Sequence, residues 1–270
     1  MATARELFHS GKLDEALTTT METVKKNPSE IESRSLLAEL LCFSGDLERA
    51  DKHLEATLQF APSSAYGIAM LRHLVRAETS RREVFVSGRV PEFIELPTES
   101  QQMRLKALLA LREAKFEEAA ELVENANSME SETPLIVNGN RVTDFRDLDD
   151  LLGCNLEICT ATGNYYWVHL SNIVSLEFSA PECLSDLMWR AAAIETTGDL
   201  KGRVHMPALY FGSHQSAEPL ARVGRATDWK SYADGKLITG VGQREFLLND
   251  EQITIMELKT VCRPDEEVAS

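Results

Sequence analysis

Several features that would mark a secreted, membrane-spanning or zinc-binding protein are missing from this chain of 270 residues. Its five cysteines are scattered and include no C-x-x-C pair, so the sequence indicates neither a disulfide framework nor a paired-cysteine metal site. No apolar run approaches the ~20 residues that span a bilayer. The opening residues, MATARELFHSGK, lack the apolar segment of a signal peptide. We therefore expect a cytoplasmic protein with reduced thiols, no bound metal ion and no membrane partner.

Basic residues are scarce as well. The chain carries 28 lysines and arginines against 43 aspartates and glutamates, which gives a net charge of −15. A surface this acidic repels the phosphate backbone of DNA and RNA, because like charges raise the free energy of association. We therefore expect no nucleic-acid partner.

The sequence patterns of common catalytic sites are also lacking. There is no G-x-S-x-G nucleophile turn, no phosphate-binding P-loop and no complete G-x-G-x-x-G fingerprint. Ser213 and His214 are adjacent in FGSHQS, but neighbouring residues at the end of a strand point in opposite directions. We therefore predict no catalytic residue, no cofactor and no enzymatic activity. An enzyme with its site in the C-terminal half is the remaining alternative.

The chain does contain a repeat near its N-terminus. Four residues recur at an offset of 34 positions, the period of the tetratricopeptide helix-turn-helix unit: Gly11, Leu13, Ala16 and Pro28 return as Gly45, Leu47, Ala50 and Pro62. A third copy follows, since KLDEA at 12–16 and DLERA at 46–50 match KFEEA at 115–119. The glycine permits a sharp turn between two helices, and the proline ends the second helix. Stacked units of this kind form a concave surface that binds a peptide or a helix.

The pattern of apolar residues changes near residue 131, from helical spacing to short β-prone runs. We predict an α+β multidomain fold: a tetratricopeptide-like helical repeat domain over 1–130, a β-rich domain over 131–263 that forms an antiparallel sheet or small barrel, and a polar tail over 264–270. Locally we predict a helix over 64–82 that Gly88 and the prolines of 84–97 terminate. We also predict a hairpin turn at Asn138-Gly139, a short helix over 144–153 and a strand over 253–261.

Repeat geometry places the first helix of each unit on the concave side, where a partner would bind. In the second unit, the predicted partner-binding residues are Glu32, Ser35, Glu39, Cys42 and Phe43. In the third unit, the same register gives Gln101, Arg104, Leu108 and Arg112. Phe43 also has a second interpretation, in which its ring packs against the neighbouring helical pair.

Two further segments are candidate binding surfaces. Tyr165, Tyr166 and Trp167 are consecutive in a predicted strand, so at least one of them should point away from the core. An outward aromatic side chain either anchors an interface or covers the junction between domains. The helix over 64–82 has a basic face, which is either a solvated surface or a docking site for an acidic partner. It contains Arg72, His73, Arg76, Arg81 and Arg82.

Six strings along the chain carry a family resemblance. They are LLCFSGDLERADKHLEA (40–56), RREVFVSGRVPEF (81–93), NYYWVHLSNIVSLEFSAPECLSDLMWRAA (164–192), VHMPALYFGSH (204–214), ARVGRATDW (221–229) and GVGQREFLLND (240–250). In this order they resemble the ImpE family, also called TagJ, an accessory component of bacterial type VI secretion.

The resemblance implies a cytoplasmic protein with a tetratricopeptide-like N-terminal half and a β-rich C-terminal half. It also implies binding to the N-terminal helix of the small contractile-sheath subunit, TssB, and in some systems contact with the ClpV unfoldase that recycles the sheath. The leading hypothesis is therefore a non-catalytic adaptor of the secretion sheath. The alternative outside this family's role is a general interaction scaffold or chaperone-like regulator with another protein partner.

Overall fold

The computed structural model describes residues 2–60 and 65–264, and the first half of the chain in it is helical. The helices there are α1 (Ala4–His9), α2 (Leu13–Lys26), α3 (Ile31–Phe43), α4 (Leu47–Leu58), α5 (Ala65–Ser87), α6 (Glu99–Arg112) and α7 (Phe116–Ser128). The pairs α1–α2, α3–α4 and α6–α7 pack as helical hairpins, and α5 stands between the second and third pairs. Within the described residues, no helix has the length and apolar character needed to cross a membrane.

The three helical pairs turn in the same way. Gly11 and Gly45 take φ angles of +82° and +85°, and Ala114 takes +58° at the matching position of the third pair. The residue after each of these donates a 2.9 Å backbone hydrogen bond to the carbonyl group five residues earlier: Lys12 to Leu7, Asp46 to Leu41 and Lys115 to Ala110. This is the Schellman arrangement, which satisfies carbonyl groups at the end of a helix. The three turns confirm the predicted repeat, while its Pro62 lies outside the described residues.

The second half is rich in strands. They are β1 (Leu135–Val137), β2 (Asn140–Val142), β3 (Phe145–Asp147), β4 (Asn155–Thr160), β5 (Tyr165–His169), β6 (Ile173–Phe178), β7 (Trp189–Thr196), β8 (Lys201–Pro207), β9 (Thr227–Tyr232), β10 (Leu237–Gly242), β11 (Glu245–Leu248), β12 (Glu251–Thr254) and β13 (Thr260–Cys262), with the short helix α8 (Pro219–Arg222) before β9. Eight of these strands form an antiparallel sheet in the order β2-β1-β13-β6-β7-β8-β4-β5. The ribbon β10-β9 and the sheet β12-β11-β3 complete the α+β fold, as predicted.

One hydrophobic core runs through both halves. It includes Phe8 and Phe43 of the helices as well as Trp167 of the large sheet. The outer edge of β5 is covered by the α5–α6 connection, because the backbone of Glu92 exchanges two 3.0 Å hydrogen bonds with Tyr165 and Trp167. The halves are therefore joined by apolar packing and by backbone pairing. Their division into two domains at residue 131 stays a prediction, and the predicted tail lies outside the described residues from 265 onward.

Some local predictions were right and others wrong. The hairpin turn is confirmed, with φ angles of +50° at Asn138 and +83° at Gly139. The helix predicted over 64–82 instead runs to Ser87, because Val84 and Phe85 are buried and packing overrides their preference for strands. Gly88, at φ +79°, follows the true end of that helix.

Three errors concern the strand-rich half. The predicted helix over 144–153 is strand β3 followed by a turn, because Phe145–Asp147 pairs with β11 instead of closing helical hydrogen bonds. The predicted strand over 253–261 is divided between the end of β12 and the start of β13. Strand β9 was not predicted, since its sequence TDWKSY is mostly polar and its burial is correspondingly low.

Candidate functional site

The predicted concave face of the helical repeats is covered by the protein's own strand-rich half. Glu39 of α3 is buried and its carboxylate accepts a 3.3 Å hydrogen bond from the backbone N–H of Ser185. Cys42 is buried beside the segment that contains His214. Arg104 of α6 has no exposed surface and donates to the carbonyl group of Asp150 at 2.5 Å. The expectation of an open groove at these three residues is therefore wrong, because the C-terminal half fills it.

The remaining residues of that face divide into buried and accessible ones. Phe43 is 2% exposed and its ring meets Phe8 edge to face at 4.7 Å, so the alternative in which it packs on the neighbouring helical pair is correct. Gln101 is buried as well, and its side chain donates to Asn155 at 2.8 Å. Glu32 is exposed and Ser35 is half-buried, so both stay accessible to a partner.

A buried network of ionic side chains joins α5 to the strands. The guanidinium of Arg81 donates two hydrogen bonds to Glu157 of β4, at 2.7 and 2.9 Å, and also contacts Glu78 at 3.3 Å. Arg244, between β10 and β11, pairs with the same glutamate and donates to Asp147 at 2.9 Å. Four of these side chains, those of Arg81, Glu157, Asp147 and Arg244, have 3% or less of their surface exposed. The network therefore connects the helical half to the strand-rich half through buried ion pairs.

Protonation within this network follows from burial and from the arrangement of its charges. Burial opposes ionisation of Glu157, yet the neighbouring Arg81 and Arg244 lower its pKa to about 2. Burial raises the pKa of Asp147 to about 6, with Arg244 acting in the opposite direction. Asp149 is buried next to Asp147, and these two effects raise its pKa to about 8. At neutral pH, Glu157 is thus the anion that both arginines share.

The aromatic run of β5 takes part in this junction. Tyr165 and Trp167 are buried, the Tyr165 hydroxyl donates to Glu157, and the Trp167 indole N–H donates to the Tyr165 oxygen at 2.7 Å. Tyr166 is the half-buried member that points away from them, as the alternation predicted. The junction interpretation therefore describes Tyr165 and Trp167, while Tyr166 alone remains accessible to a partner.

Most arginines on the predicted basic face of α5 form ion pairs or hydrogen bonds with other residues of the protein. Arg81 belongs to the buried network, and Arg72 forms a two-pronged ion pair with Asp51 of α4 at 2.6 and 2.9 Å. Arg82 donates to the carbonyl group of Gly45. Of these arginines, Arg76 is the exposed one, so the helix does not present a continuous basic surface.

The residues considered for catalysis have structural contacts. The Ser213 hydroxyl donates to the carbonyl group of Tyr210 at 2.6 Å and accepts from the backbone N–H of Gly242 at 2.7 Å. His214 lies against Gly45, and burial lowers its pKa to about 4, so it is neutral at physiological pH. In the described part of the chain, no group of three or more His, Cys, Asp or Glu side chains is placed to hold a metal ion.

Two of the recesses on the described surface are lined partly by α5. The first, which we call the α4–α5 groove, has a volume of about 680 Å³ and is lined by side chains of both helices. Its α4 side carries Asp46, Glu48, Asp51, Lys52 and Glu55, and its α5 side carries Arg72, Val75, Arg76, Thr79 and Arg82. An ion pair between Arg72 and Asp51 joins the two walls, and Glu55 and Arg76 are exposed charges of opposite sign on the two sides.

The second recess, which we call the junction cleft, lies where α5 and α6 meet the β9–β10 ribbon and has a volume of about 230 Å³. Its apolar lining comes from Phe85, Leu108, Leu111 and Phe211, and its basic lining from Arg112 and Lys230. Leu108 and Arg112 were predicted on the concave face; Leu108 is buried in the cleft lining and Arg112 is half-buried.

Sequence reasoning missed the buried ionic network, although a trace of it is present in the sequence. Glu157 stands inside the β-prone run NLEICT, and Arg244 stands between GVGQ and EFLL. A charged residue inside a strand-forming run signals either a solvated face or a buried pair, and these two cases cannot be separated without the partner strand. Arg81, Tyr165 and Arg244 lie within three of the strings that carry the family resemblance.

These features define the class of the molecule: a tetratricopeptide-like protein whose concave face is closed by its own strand-rich half. A protein from Pseudomonas aeruginosa, the type VI secretion system accessory component TagJ, is 30% identical over 256 residues, which covers 95% of this chain and 89% of the relative. The family model described as ImpE protein matches residues 139–262. The chain belongs to this ImpE family.

The fold itself has a close counterpart among solved structures. A crystal structure of a protein from Vibrio parahaemolyticus matches with a TM-score of 0.89 and 29% sequence identity. The match covers 96% of each chain. The helical half and the strand-rich half therefore occur together, in the same arrangement, in that protein.

Proposed function

We propose that this chain is a non-catalytic accessory component of bacterial type VI secretion, which acts in the cytoplasm by binding other proteins. The observation that carries the proposal is the 30% identity to TagJ over 95% of the chain. A match of this extent includes both halves, so it favours a shared role for the whole molecule over a shared module. The helical hairpins supply surfaces of the kind that protein partners use.

The partner that we propose is the N-terminal helix of the small sheath subunit, TssB, with the ClpV unfoldase as a second contact in the sheath cycle. This comes from the resemblance to the family. A short amphipathic helix binds by laying its apolar face into a groove between helices. The concave face cannot accept it, because Glu39, Cys42 and Arg104 are buried under the strand-rich half.

The α4–α5 groove is the surface that best suits a helix. Leu47 and Val75 line it as buried apolar residues, at 7% and 4% exposure. Glu55 on the α4 wall and Arg76 on the α5 wall are exposed. A partner helix with an apolar stripe between a basic flank and an acidic flank would be complementary to these walls, which favours one orientation of binding.

The experiment is a titration of the full-length protein with a labelled peptide of the N-terminal helix from the co-encoded small sheath subunit. Glu55→Lys and Arg76→Glu should each weaken binding about tenfold, because each replaces an attraction by a repulsion. Lys106→Glu is the matched control, since Lys106 is an exposed residue of α6 outside the groove.

Three results would count against the proposal. Absence of binding by the peptide would show that the sheath helix is not the partner. Binding that all three variants leave unchanged would show that the α4–α5 groove is not the binding site. Equal weakening by Lys106→Glu would show that only the net charge of the protein matters. Capture of a different protein in place of the sheath subunit would favour the scaffold alternative.

A further inference from the structure

We propose that the junction cleft is a second interaction site, which binds an extended acidic peptide segment by enclosing one large apolar side chain. The site is separate from the α4–α5 groove, and it does not depend on the identity of the helix proposed to bind there. Three features of the cleft support this inference: its apolar lining, its unpaired positive charges and the free strand edge beside it.

The apolar lining is preformed. The rings of Phe85 and Phe211 stack at 4.5 Å with an interplanar angle of 13°, and Leu108 and Leu111 of α6 lie on the same cleft. Pockets for whole drug-sized ligands typically measure ~300–1,000 Å³. At about 230 Å³ the cleft is smaller, and a single large side chain suits it better than a complete small molecule.

The basic residues of the cleft form no ion pair with a carboxylate in the described part of the chain. Elsewhere Arg72 pairs with Asp51, and Arg222 pairs with Asp14. Among the described residues, no carboxylate forms an ion pair with Arg112 or with Lys230, although the chain has a net charge of −15. Arg112 donates a 3.2 Å hydrogen bond to the carbonyl group of Val84, and Lys230 is exposed. Two cations beside an apolar cavity are complementary to an apolar residue flanked by carboxylates.

The one carboxyl group in the cleft does not neutralise these cations. The two oxygens of Asp149 accept hydrogen bonds from the backbone N–H groups of Leu151 and Gly240, at 2.9 and 3.0 Å. Burial and the neighbouring Asp147 raise the pKa of Asp149 to about 8, so it is mostly uncharged at neutral pH. An incoming carboxylate therefore meets positive charge without a compensating anion.

A free strand edge favours an extended peptide over an isolated anion. Lys230 belongs to β9, which pairs with β10 on one side and with no other named strand in the described chain. Four consecutive residues of β9, from Asp228 to Ser231, are exposed. A peptide running along this edge could add backbone hydrogen bonds while it inserts a side chain into the cleft.

The test uses the full-length protein and a fluorescein-labelled peptide with one phenylalanine followed by two glutamates, between Gly-Ser flanks. Fluorescence anisotropy should detect saturable binding, and replacing the phenylalanine by serine should weaken it at least about tenfold. Lys230→Glu should weaken binding about tenfold. Lys236→Glu is the control on the same ribbon, because Lys236 is outside the cleft lining and already pairs with Glu117 at 3.2 Å. Its affinity should stay within about twofold of wild type.

Equal melting temperatures for the two lysine variants would confirm that the comparison concerns binding and not folding. The proposal is overturned if the peptide fails to bind at millimolar protein concentration. It is also overturned if a peptide with lysines in place of the glutamates binds equally well, or if Lys230→Glu and Lys236→Glu behave alike. The same peptide should bind whether or not the sheath helix does, which separates this proposal from the previous one.

Discussion

Replacing Gly45 by alanine should destabilise the protein much more than the same change at Gly139. The φ angles of the two glycines are +85° and +83°, so an added Cβ brings similar backbone strain at both positions. That strain is about 1–2 kcal/mol, and the reduced entropy of the unfolded chain offsets about 0.4–1 kcal/mol of it. The surroundings differ, because a Cβ at Gly139 would meet nothing within 4 Å, whereas at Gly45 it would lie 2.4 Å from the ring of His214.

The contact with His214 decides the size of the difference. Its ring is half-buried beside the buried residues Cys42 and Phe43, so its displacement would disturb packed neighbours. Overpacking of this kind costs about 1–3 kcal/mol. We therefore expect Gly45→Ala to lower the free energy of unfolding by about 2–4 kcal/mol, and Gly139→Ala to lower it by about 1 kcal/mol or less.

Urea unfolding of the full-length protein, followed by circular dichroism, gives both values if the dependence on urea concentration stays the same. The double variant Gly45→Ala/His214→Ala separates the two contributions, since it removes the clash and keeps the strain. It should be more stable than the sum of the single changes predicts, by about 1–3 kcal/mol. Equal losses at Gly45 and Gly139, or additive effects in the double variant, would refute this account of the repeat turn.

Three further predictions concern single features of the fold. Ala114→Gly should raise the free energy of unfolding by about 0.5–1 kcal/mol, because Ala114 holds a positive φ that glycine adopts without strain; the urea midpoint measures this. Glu157→Gln should lower the free energy of unfolding by about 3–5 kcal/mol, because it leaves two buried arginines without their shared anion, while Glu48→Gln, at an exposed ion pair, should change it by less than about 0.5 kcal/mol. Acidification from pH about 6.5 to about 4 should lower the melting temperature of the wild type relative to that of the His205→Gln/His214→Gln variant, because burial lowers the pKa of both histidines to about 4 and the unfolded chain takes up these protons first. The raised pKa values of Asp147 and Asp149 act in the opposite direction in both proteins, so the difference between the two melting curves reports the histidines.

The repeat turns were predictable because they depend on local chemistry. Gly11 and Gly45 recur at the repeat spacing, and a helix that must reverse direction needs a residue that accepts positive φ. The hairpin at Asn138-Gly139 was predictable for the same reason, since both residues tolerate positive φ. In each case the turn forms because of the backbone preference of one or two residues, which the local sequence shows directly.

Predictions failed where the outcome depended on distant segments. The run that begins at Val84 has the composition of a strand, yet it continues α5 because the core buries it there. The segment from Phe145 has helical spacing, yet it pairs with β11, which lies a hundred residues further along the chain. Local preference amounts to a few tenths of a kcal/mol per residue, and burial of a large side chain outweighs it.

The candidate binding face shows the same limit. Repeat register predicted Glu39, Cys42, Phe43, Arg104 and Leu108 on one side of the helical array. Register does not indicate what lies opposite that side, and in this protein the strand-rich half occupies most of it. Of the residues predicted to bind a partner there, Glu32 and Ser35 stay accessible, and Leu108 and Arg112 line the junction cleft.

The sequence by itself determined the class of each half, the position of the repeat turns and the family to which the chain belongs. These properties follow from periodicity, turn chemistry and local strings of residues. Only the tertiary structure decided that the two halves close on each other, through Arg81, Glu157 and Arg244, and that the α4–α5 groove and the junction cleft stay open. The physical reason is that a buried ion pair or an occupied groove forms between segments that are distant in the sequence. The free energy of their interaction depends on both segments, so neither segment predicts it alone.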